Sequence, residues 1–152
     1  MELDASRKKS IQANVSAGID RIKIFQTSNG GFSYWPGDTY DNEWGTNYAG
    51  HFLLEAEKIG YSVPLGMKNN FINFQKKQAK NWNKLNETVS GYQYSDLTQA
   101  YRLFTLALAG KAEIGLMNRL RERSDLSLPA RWRLAAAYKI AGQKEVALEL
   151  IQ

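Results

Sequence analysis

The sequence predicts an all-α protein of about seven helices set in antiparallel hairpins. Three observations carry that expectation. Apolar residues recur at spacings of three and four in seven separate stretches, the pattern of helices with one buried face. No run alternates apolar and polar residues as a half-buried strand would. Glycine follows the last periodic residue at Gly60, Gly110 and Gly142, the place where a helix end takes a left-handed residue. Most connections are short, which sets consecutive helices side by side.

The first helix is expected over 5–26, with Ile11, Val15, Ile19, Ile22 and Phe25/Gln26 on one face and Asp4 or Ser6 as cap. Ser28-Asn29-Gly30-Gly31 breaks it, since paired glycines accept positive φ freely. Residues 32–45, FSYWPGDTYDNEWG, hold no period and read as an ordered aromatic loop. A helix over 46–59 places Tyr48, Phe52, Ala56 and Ile59 on one face. Ser62-Val63-Pro64 opens the next, over 65–80, with Met67, Phe71 and Phe74 (or Ile72) inward, because a hydroxyl cap followed by proline suits a first turn.

Residues 81–94 read as a polar connection containing Trp82, Leu85 and a turn at Gly91-Tyr92-Gln93-Tyr94. Asp96 with Gln99 resembles a capping box ahead of a helix over 97–109, carrying Leu97, Ala100, Tyr101, Phe104 and Leu108. Residues 112–123 turn Ile114, Met117 and Leu120 inward. Ser127-Leu128-Pro129 repeats the earlier start, and the helix over 129–141 carries Trp132, Leu134, Ala135 and Tyr138. A last helix over 143–152 holds Val146, Ala147 and Leu150 and shows no stop signal, which is expected of a piece of a longer array.

With 152 residues, 43% of them apolar, residues 1–152 form one helical segment able to bury a core. The net charge of +5 lies wholly in residues 77–152 and is too modest and too spread to imply a nucleic-acid partner. Cysteine is absent, which excludes disulfides, thiolate metal sites and a cysteine nucleophile within the chain. One histidine excludes a multi-histidine metal site. No apolar run is long enough for a membrane span, and residues 1–10 lack the apolar stretch of a signal peptide. That start reads as a cytosolic N-terminus or as the interior of a longer chain. No cofactor and no catalytic residue is expected.

Three clusters invite chemistry. His51 and Glu55, at i and i+4, face one way, but a zinc site needs a third ligand; a polar helix edge with Lys58 is the simpler reading. Asp38, Asp41 and Glu43 lie among Tyr34, Trp35, Tyr40, Trp44 and Tyr48, as a sugar hydrolase or lyase would require. The same residues suit an aromatic plug whose carboxylates cap helices. Arg119, Arg121 and Arg123 around Glu122 offer a phosphate grip or, more simply, complement a helix C-terminus. No phosphate-loop, dinucleotide or nucleophile-elbow motif occurs.

Two stretches resemble a known family. One is Gln26-Thr27-Ser28-Asn29-Gly30-Gly31-Phe32-Ser33-Tyr34-Trp35-Pro36-Gly37 with Trp44-Gly45-Thr46-Asn47-Tyr48-Ala49-Gly50-His51-Phe52 and Gly60-Tyr61-Ser62-Val63-Pro64. The other is Gln99-Ala100-Tyr101-Arg102-Leu103-Phe104-Thr105-Leu106-Ala107-Leu108-Ala109-Gly110 with Met117-Asn118-Arg119-Leu120-Arg121. Together they resemble the thioester-domain region of bacterial alpha-2-macroglobulins, relatives of complement components.

The resemblance implies part of an α/α toroid, inner helices ringed by outer ones, inside a much larger periplasmic or surface-anchored protease trap. It implies as partners the rest of the parent chain and, through it, target proteases, with no nucleic acid and no membrane insertion of this segment. The family's Cys–Gln thioester motif, C-x-E-Q, would lie upstream; with no cysteine, this chain forms no thioester. The resemblance gives Gln26, Gly30, Gly31, Phe32, Trp35 and Trp44 a structural role. Gln26 would bond free groups at the following helix terminus, and Phe32 and Trp35 would pack between helices. Two other readings stay open: a toroid glycoside hydrolase or lyase using the 32–45 carboxylates, and a helical-repeat interaction scaffold. The scaffold rests on RWRLAAAYKIAGQKEVALEL (131–150), which resembles a tetratricopeptide-type helix pair.

Overall fold

Capping chemistry fixes where each helix begins. The structure, a computed structural model, describes residues 4–83 and 95–152. Helix α1 (Ala5–Ile22) starts on Asp4, whose carboxylate accepts from the Arg7 N–H at 2.8 Å. It tightens into a 3-10 turn, Lys23–Phe25, because Gln26 leaves the helix to pair with Phe32. Helix α2 (Glu43–Lys58) starts three residues earlier than the periodicity suggests. The Asn42 side chain accepts from Gly45 N–H at 2.6 Å and fixes the first turn, so Trp44 belongs to the helix rather than the loop.

Helix α3 (Leu65–Asn81) has Pro64 at its N-cap position and no side-chain cap, so Ser62 does not play the capping part expected of it. Helix α4 (Asp96–Leu108) is capped by Ser95, which accepts from Thr98 N–H at 3.1 Å. Asp96 therefore sits in the first turn instead of capping. The expected capping box fails because Gln99 turns inward and donates to the Ala79 carbonyl at 3.0 Å. Asp96 instead accepts from the Ser127 N–H at 2.6 Å and from its hydroxyl at 3.0 Å, which ties α4 to the start of α6. Helices α5 (Ile114–Arg121), α6 (Leu128–Ile140) and α7 (Lys144–Glu149) complete the array. The expected turn at 91–94 and Leu85 lie outside the described residues.

The principal contacts define two layers. Helices α2, α4 and α6 touch in series. Of the others, α1 packs on α2, α3 on α2 and α4, α5 on α4 and α6, and α7 on α6. The even helices thus form an inner row and the odd helices an outer one, the expected all-α assembly of antiparallel hairpins. Each inner helix ends the same way. Gly60, Gly110 and Gly142 take φ of +100°, +69° and +84°. The next N–H reaches back to the Ala56, Leu106 or Tyr138 carbonyl at 3.0, 2.9 and 2.9 Å, closing a Schellman end.

The core centres on α4, in which eleven of thirteen residues are buried, so its polar side chains must find partners inside the protein. Leu103, Leu106, Met117, Leu120 and Leu134 fill the space between the layers. Four core expectations fail: Ile11, Tyr48 and Ile59, expected on the inward faces of their helices, are exposed, and so is Trp132. Helix α6 turns Ala130, Leu134, Ala137 and Tyr138 inward, which leaves Trp132 on the neighbouring strip and 56% exposed.

Candidate functional site

The loop after α1 has a rigid half and an exposed half. In the rigid half, Gln26 pairs with Phe32, and the Thr27 N–H donates to the Gly31 carbonyl at 3.0 Å. The Gln26 amide donates to the Gly30 carbonyl at 3.1 Å and to the Met67 carbonyl of α3 at 2.9 Å. Its partner is therefore the first turn of α3, not the terminus of α2. Gly30 has φ +96°, and a Cβ there would lie 2.4 Å from the Asn70 carbonyl oxygen. A Cβ on Gly31 would lie 2.7 Å from the Asp41 carboxylate and 2.9 Å from the Phe74 ring. Phe32 is buried, and Thr46 holds its backbone from both sides, accepting at 2.8 Å and donating at 3.2 Å.

The second half of the loop departs from expectation. Trp35 is 72% exposed and does not pack between helices. Tyr34 and Tyr40 are exposed with it. The chain turns outward because Ser33 spends its hydroxyl on the Phe25 and Trp35 carbonyls, and Asp38 on its own Thr39 and Tyr40 N–H groups. Trp44 stands partly exposed, edge-on to Tyr101 with ring centres 5.4 Å apart.

The three loop carboxylates do not converge. Asp38 closes a local turn, Asp41 accepts from the Thr27 hydroxyl and, at 3.1 Å, from the Asn29 amide, and Glu43 pairs with Arg102. Each already has a different structural partner, so an acid and a base facing one sugar are not formed. The arginines diverge as well. Arg119 donates to the Trp82 carbonyl at 3.4 Å, Arg121 approaches Glu149 at 3.9 Å, and Arg123 forks onto Asp125 at 3.2 Å. No group of three metal-ligating side chains occurs among the described residues.

Two polar assemblies that the sequence did not disclose run along the inner row. In the first, buried Arg102 of α4 joins Glu43 of α2 and Gln99 of its own helix. In the second, the Gln75 amide of α3 donates to Asn47 of α2 at 2.6 Å and to the Thr105 hydroxyl of α4 at 3.1 Å. The Asn47 amide in turn donates to the Thr98 carbonyl at 3.1 Å. Arginine amid the apolar run of α4 was the available signal for the first. The second had none, because Asn47 and Gln75 sit on helix faces whose orientation only the packing fixes.

A third cluster reaches the surface. His51 Nδ1 lies 2.9 Å from the Tyr101 hydroxyl, its Nε2 lies 3.9 Å from Glu55, and its ring stands edge-on to Phe104. The Arg133 guanidinium caps Tyr101 at 4.3 Å and Phe104 at 5.0 Å. Burial, then Arg133, pushes the His51 pKa below its ordinary value, while Glu55 opposes the shift. Burial raises the Tyr101 pKa. The His51–Tyr101 pair, with Glu55 beside Nε2 and Arg133 over the Tyr101 ring, ties α2 to α4 and α6.

Comparison with known proteins agrees on one family. Alpha-2-macroglobulin of Escherichia coli is 39% identical over 61 residues, 40% of this chain and 4% of that protein. The native conformation of Escherichia coli alpha-2-macroglobulin superposes with a TM-score of 0.82 at 26% identity, covering 99% of this chain and 10% of that one. A crystal structure of the same protein from domain MG7 to the C-terminus gives 0.80 at 27% identity, covering 99% of this chain and 24% of that one. Salmonella alpha-2-macroglobulin reacted with methylamine gives 0.78 at 28% identity, covering 99% of this chain and 10% of that one. No family model matches the chain. The chain is thus similar, almost end to end, to a helical region of the bacterial alpha-2-macroglobulins, and spans a small part of their length.

Proposed function

We propose that this chain is a non-catalytic, thioester-domain-like segment of a bacterial alpha-2-macroglobulin and serves a broad-spectrum endopeptidase trap. The observation that carries the reading is the superposition on the native Escherichia coli protein over 99% of the chain. Such agreement across seven helices exceeds what a shared motif would give. The site geometry is consistent with it, because the carboxylates, the arginines and the histidine are committed to structural partners. In the parent, the segment works as an arc of an α/α toroid that transmits and holds a rearrangement. The parent acts in the periplasm or at the cell surface, where foreign proteases arrive.

The chain has no cysteine and forms no thioester itself. Any covalent capture belongs to other parts of the parent. The test is a general protease incubated with the parent, then assayed on a large protein and a small peptide. Trapping protects the large substrate while the small one is still cut. Equal loss of both identifies ordinary active-site blockade, and no loss of either removes the inhibitor function. The segment alone neither incorporates methylamine nor retains a protease.

A further inference from the structure

We infer that the tip of the aromatic loop, residues 34–40, is an interaction surface for a protein partner that presents an exposed arginine-bearing segment. Tyr34, Trp35 and Tyr40 stand 64%, 72% and 81% exposed on one short stretch of chain. The frame beneath them is pinned. The Asn42 N–H donates to the Phe32 carbonyl at 2.8 Å and closes the loop at its base. The Ser33 hydroxyl donates to the Trp35 carbonyl at 2.7 Å, and the Gly37 N–H reaches the Ile24 carbonyl at 3.4 Å. Gly37 takes φ +77°, and Asp38 closes the turn that follows. Aromatic rings held out on an ordered backbone lose little conformational freedom when a partner covers them.

Charge decides what the partner must carry. Residues 24–57 contain Asp38, Asp41, Glu43, Glu55 and Glu57 and no lysine or arginine. Glu43 is neutralised by Arg102. Asp38 and Asp41 are not. Their donors are backbone N–H groups, the Thr27 hydroxyl and the Asn29 amide, all of them neutral. Neither forms an ion pair among the described residues. The tip therefore offers aromatic faces beside two uncompensated carboxylates. That combination repels phosphate backbones and anionic headgroups and attracts a cationic segment.

The chain's own packing shows which cation suits such a surface. Arg123 lies over the Trp82 ring at 5.7 Å and forks onto the Asp125 carboxylate at 3.2 Å. A planar guanidinium can stack on an aromatic face and grip a neighbouring carboxylate at once, whereas an ammonium acts as a point charge. Arg121 lies over Tyr138 at 5.9 Å in the same manner. Tyr34, Trp35 and Tyr40 have no cation over their rings among the described residues. A second copy of the chain is a poor source of one. Arg102, Arg119, Arg121, Arg123 and Arg133 are already engaged with internal partners.

The inference stands apart from protease trapping, and either test can fail alone. The 152-residue chain is titrated with a dye-labelled Gly/Ser peptide bearing spaced arginines, and with the same peptide bearing lysines or neutral citrullines, read by fluorescence anisotropy. The expected order of affinity is arginine, then lysine, then citrulline, with about fivefold between the first two. The Trp35→Ala, Tyr40→Ala double variant loses the preference for arginine while its circular dichroism stays helical. Asp38→Asn keeps an acceptor for the local turn, lowers affinity for both cationic peptides and flattens the dependence on salt. Equal binding of the arginine and lysine peptides that the double variant leaves intact means attraction by net charge alone and overturns the proposal. No binding of any peptide overturns it as well. So does a chitin oligosaccharide, or a vesicle of anionic lipid, that binds through Trp35 in place of the arginine peptide. A dimer in sedimentation that the double variant dissolves gives the tip to a second copy and removes the inference.

Discussion

The seam around α4 and the tip of the 34–40 loop have exchanged the roles their compositions suggest. The loop is the most aromatic stretch of the sequence, yet Tyr34, Trp35 and Tyr40 stand in solvent. The seam carries Arg102, Glu43, Gln75 and Asn47, yet Arg102 and Asn47 are among the most buried side chains in the protein. The difference teaches that burial here follows position in the layered array and not side-chain character. An inner helix flanked by four neighbours has no exposed face on which to place a charge, so the charge goes inside with a partner. A loop tip outside the layers has no neighbour to offer a tryptophan.

The widest gap should appear at Arg102. Arg102→Ala leaves Glu43 without its cation in a partly buried site and should cost about 3–5 kcal/mol, read from urea unfolding. A loss below about 1 kcal/mol would mean that the seam is solvated and the contrast with the loop is overstated. The rigid half of the loop belongs with the seam. Phe32→Ala should therefore cost about 3–5 kcal/mol, like other buried aromatics.

Gln26→Ala removes two donated hydrogen bonds, one to Gly30 within the loop and one to Met67 of α3, and about 1–3 kcal/mol is expected, measured by thermal melting. Retention of full stability would detach the rigid half of the loop from the core. The surface cluster gives a pH signature. His51 titrates below its ordinary value in the fold, so the stability it adds is fully present above about pH 6.5, the unfolded imidazole value. That stability is lost as pH falls through the lower folded value. Denaturation midpoints measured from pH 7.5 to 5 should decline, and His51→Gln should flatten the decline. The smallest effect belongs to the loop tip. Trp35→Ala should change stability by no more than about 0.5 kcal/mol, as exposed substitutions do. A loss of several kcal/mol would restore the aromatic-plug role that its exposure denies it.

The helices were legible because each buries one continuous face, and that leaves a period of 3.6 in the apolar residues. Their starts were less legible. Ser95 caps in place of the expected Asp96, and Asn42 caps a start for which the sequence suggested no residue, since several polar side chains near a start can accept the same N–H and only the backbone geometry selects one. The glycines of the loop were readable, because Gly30 and Gly31 occupy backbone positions that a Cβ would obstruct. Trp35 and Trp132 misled for a common reason. Aromatic character signals burial on average, while actual exposure depends on which neighbour is present. The Asn47–Gln75–Thr105 chain left no mark in the sequence, because it joins three helices distant along the chain.

The identical glycine ends of α2, α4 and α6 bear on how the protein tolerates change in length. All three inner helices run the same way, so these turns share one rim, where few residues separate an inner helix from the outer helix that follows. An added residue there would rotate the next outer helix by about 100° and swing its apolar stripe toward water. On the opposite rim, residues 23–42 and 122–127 join outer helices to inner ones, and the first of these connections is long. That rim can absorb insertions, tags and cleavage sites outside the anchored stretch of Gln26–Phe32. The molecule is therefore stitched tightly along one margin and open to variation along the other. New surface chemistry in a helical arc of this kind would accumulate on the open margin.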